Sequence, residues 1–334
     1  MTQTVPVTGA QYEIRAGRYR AVVTGLGAGL RQLERDGMPL VHGFDADELP
    51  PAASGELLAP WPNRVDHGRY VFDGAELQLA LTEPARSTAI HGLTRWALWS
   101  LAEQNEATVT LRSEPHGVQG YPFSMQYQVT YQVDDGSGLT VTLIARNRGS
   151  RRAPYGNGFH PYLTLGADSV DGCELTLPAT DVLPLDDRGL PAGEPRPVAG
   201  TVYDFRVARE LGDTVLDSAL TGLIADPDGR AWARLTAGGC MVSLWAGPGY
   251  RWLQVFTGDP LPAERRRKAV AIEPMTCPPN AFATGRDLLV LESGDEVTHT
   301  WGIQLFIQLF HSGGRGLPGC RCRRGCRCRR TRRA

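Results

Sequence analysis

Apolar and polar residues alternate in short runs along most of this chain. "YRAVVTGL" (19–26), "LTVTLIAR" (139–146), "CELTLP" (173–178), "CMVSLWAG" (240–247) and "YRWLQVFTG" (250–258) are rich in β-branched and aromatic residues. Several repeat with a period of two, the mark of a strand that buries one face. Turn signals separate them: "RDG" at 35, "FDG" at 72, "DDGSG" at 134 and "DPDG" at 226. Helix periodicity is confined to a turn or two near "DFRVARELG" and "DTVLDSAL". Many short strands at close spacing predict an all-β chain folded as a large antiparallel β-sandwich, not alternating βαβ units. No strong linker divides residues 1–311, which are expected to form one β domain ending in the strand-like "DEVTHTWGIQLFIQLF".

Residues 312–334 break the pattern. "GCRCRRGCRCRR" repeats a six-residue unit and offers nothing apolar to bury, so this tail is expected to be disordered. Its four cysteines suit a soft metal, but the CxC spacing among arginines does not match a zinc knuckle. It reads more simply as sequence translated past, or out of, a natural stop. The tail also changes the meaning of the charge. The formal net charge is −1, yet nine of the 35 basic residues are arginines in the last twenty positions. Without them 26 basic residues face 36 acidic ones, a net charge near −10. An acidic body argues against nucleic acid or a membrane surface as the main partner. There is no basic, then apolar, N-terminal leader and no apolar run of about 18 residues. With Cys173, Cys240 and Cys277 scattered singly, this predicts a cytoplasmic protein with reduced, mostly buried thiols.

Four polar signals interrupt the β pattern where an apolar run meets a loop, positions at which binding residues gather. They are Asn63 and Arg64 in "APWPNRVDHGRYVFDG", His91 in "AIHGLTRW", His160 in "GFHPYLTL" and Glu273 in "AVAIEPMTCPPNAF". Pro161 drives His160 toward extended geometry, at or beside a strand end. Pro274 is expected to end the strand that carries Glu273. Arg64 is open to pairing with an acid such as Asp66. His91, His160 and Glu273 make up a conceivable two-His, one-carboxylate metal set, although the chain has no HExxH pair. It also lacks a GxSxG elbow and a GxGxxG opening a helix after a strand. An imidazole and a carboxylate serve as an acid–base pair near neutral pH. A reaction that moves two protons with no metal or cofactor fits that inventory. Trp61, Trp96 and Trp99 are flat apolar faces for a ring-shaped ligand or pieces of core, Trp99 being assigned to the core.

The elements "NRV", "HGLTRW", "GFHPYL", "LDSALTGL", "IEP" and "PNAFATG" occur in this order in aldose 1-epimerases, the galactose mutarotases and their relatives. The chain resembles a bacterial branch of that family over roughly residues 10–305. The resemblance implies a sandwich with a monosaccharide bound in an open cleft across one sheet. It implies that His160 is the general acid on the ring oxygen and Glu273 the general base on the anomeric hydroxyl. It implies that Arg64 and His91, with Asn63 beside them, bind and orient the sugar, and that Asp217 holds a ring hydroxyl. The implied reaction opens and recloses a free aldohexose without a cofactor, with the acid and base on opposite sides of a ring-sized gap. Two alternatives stay open. One is a hexose-6-phosphate epimerase using cations among Arg64, Arg69, Arg86 and Arg95. The other is a catalytically silent sugar-binding protein. The expected state is a monomer or homodimer.

Overall fold

The structure, a computed structural model, describes residues 5–307. The Arg/Cys-rich tail at 312–334 lies outside the described residues. Every pairing between strands in the described residues is antiparallel. Two large sheets dominate. A nine-stranded sheet is built around Met125–Asp134, Gly138–Asn147, Glu296–Ile307 and Cys240–Ala246. An eight-stranded sheet sets Ala179–Leu183, Asp217–Leu223, Trp252–Phe256 and Val270–Met275 side by side. A smaller four-stranded sheet, from Gln11–Ala16 to Met38–Pro39, adds Ile14, Ala21, Val23 and Leu33 to the same core.

Alternation explains the sandwich. Along Met125–Asp134 the buried residues are Met125, Tyr127, Val129, Tyr131 and Val133, every second position. Opposite the last four of these on the next strand stand Ala145, Leu143, Val141 and Leu139. In the other sheet Leu253 and Val255, and Val270 and Ile272, join the same apolar cluster. The layers meet where the Phe159 ring lies 5.0 Å from that of Trp301. Each such side chain leaves water on folding, which supplies the dominant favourable term.

The turn chemistry also follows the sequence. In "RDG" and "FDG", Asp36, Gly37, Asp73 and Gly74 all have positive φ, from 50° to 77°. Two successive left-handed residues make the mirror-image turn that matches the right-handed twist of paired strands. The expected helical turns at 204–220 are absent: Arg209–Glu210 and Asp217–Leu223 are strands, paired into the nine- and eight-stranded sheets. Pairing with neighbours overrode a weak local preference. Cys173 and Cys277 are buried free thiols and Cys240 is partly exposed. No helix of the described residues is long and apolar enough to cross a membrane.

Candidate active site

The eight-stranded sheet uses one face for the core and the other for a cavity. On Val270–Met275 the core takes Val270 and Ile272, so Ala271, Glu273 and Met275 point outward. On Trp252–Phe256 the outward set is Trp252, Gln254 and Phe256, and Gln254 stands opposite Glu273. Two small apolar clusters flank them on this outer face. One is Leu183, Ala219, Trp252 and Met275; the other is Tyr162, Ala269 and Ala271 with Phe256 and Leu261. Between the clusters lies a cavity of about 300 Å³, at the small end for ligand sites. Asn63, Arg64, His91, His160, Asp217 and Glu273 all line it. Six residues spread over 210 positions thus share one wall.

His160 gets there through a break in a strand. Gly158–Phe159 pairs with Met275, and Tyr162–Leu163 pairs with Ala271 and Val270. Between them the chain leaves the ladder at His160–Pro161, alongside Ile272–Pro274. The same interruption accommodates Pro274. That proline does not end its strand, which runs on to Met275; a residue with no N–H is tolerated where no neighbouring strand asks for one. The break turns the imidazole toward the carboxylate: His160 Nε2 lies 3.2 Å from Glu273 Oε1, both side chains nearly buried. The two side chains therefore touch and do not face each other across a ring-sized gap.

Burial shapes the charge of this pair. It pushes the Glu273 carboxyl well above the usual carboxylate range, helped by Asp217 and opposed by Arg64. It pushes His160 down to about 3, helped by Arg95 and Arg64. Glu273 Oε2 is buried without a partner, and His160 Nδ1 is buried without a partner in another residue. The ring is held by stacking on Tyr162, centroids 5.0 Å apart, and by an edge contact with His91 at 5.4 Å.

His91 and Asn63 are locked together at two loop corners with left-handed backbone. The His91 N–H donates to Asn63 O at 2.9 Å, and the Asn63 N–H donates to His91 Nδ1 at 3.2 Å. With Nδ1 accepting, a neutral His91 carries its proton on Nε2. Burial and the neighbouring His160 keep its pKa well below that of a free imidazole. Gly92 makes this corner possible: its φ is +69°, and a Cβ there would stand 2.1 Å from the Ala59 carbonyl oxygen. The Asn63 side chain is partly committed, since its Oδ1 accepts the Arg64 N–H at 2.9 Å.

Arg64 pairs not with Asp66 but with Glu83, in a two-pronged contact of 2.7 and 3.0 Å. Asp66 turns instead to Arg188. Thr88 also donates to Glu83 at 2.7 Å, so the arginine is fixed from behind. Asp217, at the first position of its strand, accepts from Gln254 Nε2 at 2.7 Å. Glu83 and Gln254 line the cavity too; in the sequence Glu83 is an ordinary loop acid and Gln254 one polar residue in an apolar run. The three tryptophans do not line it: Trp61 packs on Phe282, Trp99 on Tyr127, and Trp96 lies under Arg95. Tyr162 and Phe256 supply the aromatic wall. Among the described residues no group of three His, Cys, Asp or Glu is arranged to hold a metal ion.

The sequence model of the aldose 1-epimerase family matches residues 10–304. The uncharacterized protein YihR of Escherichia coli K12 is 36% identical over 301 residues, 86% of this chain and 90% of that protein. Galactose mutarotase of Homo sapiens is 30% identical over 174 residues, about half of each chain. A crystal structure of a GalM/aldose epimerase homologue from C. elegans superposes with a TM-score of 0.80, at 22% identity, covering 89% of this chain and 99% of that one.

Proposed function

The chain belongs to the aldose 1-epimerase family, and from that premise we propose that it interconverts the α and β anomers of a free aldohexose. The observation that carries this reading is the convergence of His160 Nε2 and Glu273 Oε1, 3.2 Å apart, in a cavity of sugar-ring size.

The pair needs one proton between its two members. With that proton on His160, Glu273 takes the proton of the anomeric hydroxyl while His160 gives its own to O5. The C1–O5 bond breaks, C1 becomes an aldehyde and O5 becomes a hydroxyl. Rotation about C1–C2 turns the other carbonyl face toward O5. The reverse transfers close the ring as the opposite anomer and restore the pair. Nothing is oxidised or reduced, so the chemistry calls for no cofactor. Arg64, His91 and Asn63 hold ring hydroxyls, and Gln254 keeps Asp217 aimed at another. Placing substrate and both proton carriers in one frame converts a multi-body encounter into an internal step.

The charges around the cavity weigh against a phosphorylated sugar. Arg64 is occupied by Glu83 and Arg95 faces Glu56, while Asp217 and Glu273 add two further acids. Arg69 bonds to Gln78 on an outlying hairpin and Arg86 leans on Glu83 from outside the cavity wall. A phosphate dianion needs positive charge that is not already neutralised, and here each guanidinium of the wall faces a carboxylate. The test is polarimetry on freshly dissolved α-glucose, α-galactose and glucose 6-phosphate. The expected result is acceleration for a free sugar and little for the phosphate. Acceleration confined to the phosphate would replace this reading, and saturable sugar binding without acceleration would make the protein a silent binder.

The pH profile should be broad. Between the two limits the pair holds one proton. A second proton is added only as pH falls to about 3, where His160 titrates. The single proton is lost only as pH rises past the elevated Glu273 pKa. Hence kcat/KM, corrected for spontaneous mutarotation, is expected to be flat through mildly acidic pH and to fall on either side. An acid limb centred near 6.5, the ordinary imidazole value, would mean that His160 titrates alone and that the two groups do not share a proton.

A further inference from the structure

Arg95 lines the same cavity and has no part in the proton transfers. Its Nε lies 2.8 Å from Glu56 Oε2, though out of line for a straight hydrogen bond. Its guanidinium carbon sits 4.6 Å from the centre of the Trp96 ring. A carboxylate behind and an indole face beside it therefore fix the group. Glu56 is itself tied to His160: the His160 N–H donates to Glu56 O at 3.0 Å, and the Gly55 N–H donates to His160 O at 2.9 Å. These links put Arg95 at the imidazole end of the cavity. Arg64, held by Glu83, lines the same cavity, and its charge acts on both His160 and Glu273.

The geometry of an aldopyranose gives this end a meaning. O5 joins C1 to C5, and C5 carries C6. With O5 on His160 and the anomeric oxygen on Glu273, C5 and its substituent extend to the imidazole side. Much of the wall there offers no hydrogen bond. Ala52, Ala53, Phe256 and Leu261 are apolar, and the Tyr162 hydroxyl is spent on the Ala52 carbonyl at 3.0 Å. Arg95 differs from them. A guanidinium has five N–H donors, and one carboxylate takes two at most.

Resting on the reaction proposed above, we infer that Arg95 recognises the exocyclic C6 oxygen of the substrate and so selects aldohexoses over aldopentoses. The test compares sugars that differ only in C6: glucose with xylose, and galactose with L-arabinose. Wild type is set against Arg95→Met, which keeps the chain length over Trp96. It is also set against Arg95→Met with Glu56→Gln, which leaves no bare buried carboxylate. A hydrogen bond from a charged donor predicts a loss of about 10- to 100-fold in kcat/KM for the hexose. The pentose should stay within about twofold in both variants. Equal losses for hexose and pentose would overturn the inference, since Arg95 would then only be holding His160 in place. No loss for either would overturn it as well. If wild type accelerates none of the four sugars, the proposed reaction itself fails, a result that needs no variant to recognise.

Discussion

Glu273→Gln is expected to lower kcat for anomer interconversion by about 10²–10⁴-fold, the usual weight of a positioned proton acceptor. The amide keeps the shape of the carboxyl but cannot take the proton of the anomeric hydroxyl. Loss of activity should come without loss of fold. Burial has raised the Glu273 pKa well above its ordinary value. A carboxyl shifted this way stabilises the fold only while protonated, and that contribution fades as pH rises toward the folded-state pKa. The neutral amide escapes the penalty. The Tm of Glu273→Gln should therefore match wild type at low pH and equal or exceed it at neutral pH. Polarimetry alongside thermal melts at two pH values checks both halves. Near-normal turnover would remove Glu273 from the reaction, and a large drop in Tm would make it structural.

His160→Ala should cost a similar factor in kcat, about 10²–10⁴-fold, by removing the proposed proton carrier for the ring oxygen. Here some stability is lost too, because the ring stacks on Tyr162 and meets His91 edge-on. The sharper measurement is the double variant with Glu273→Gln. Two residues sharing one proton act as a unit, and removing both should cost little more than removing the worse one. If the two losses instead multiply, the groups work in separate steps and the contact of 3.2 Å is incidental.

Much of this arrangement was legible in the chain. The period-two runs at 139–146 and 250–258 announce strands with one buried face, and "RDG" and "FDG" announce their turns. His160, His91, Asn63, Arg64 and Glu273 stood out because each interrupts an apolar segment in an aromatic or proline-rich setting. Two kinds of information were missing. The first is long-range pairing. Nothing local tells that Arg64 chooses Glu83 over the nearer Asp66, or that Gln254 will stand opposite Glu273. The second is the effect of a gap in a ladder. Pro274 reads as a strand terminator until the neighbouring strand is known to break at His160–Pro161. The tryptophans left two readings open for a related reason: a large aromatic ring has the same local signature in a core and at a ligand.

One strand, Val270–Met275, sends alternate residues to the interior and to the outer face that carries the cavity. That division insulates inheritance of shape from inheritance of taste. Substitutions at Phe256 or Leu261 would reshape the cavity wall while Val255, Val270 and Ile272 keep the two layers bound. A scaffold of this kind lets specificity wander without unpicking its own architecture.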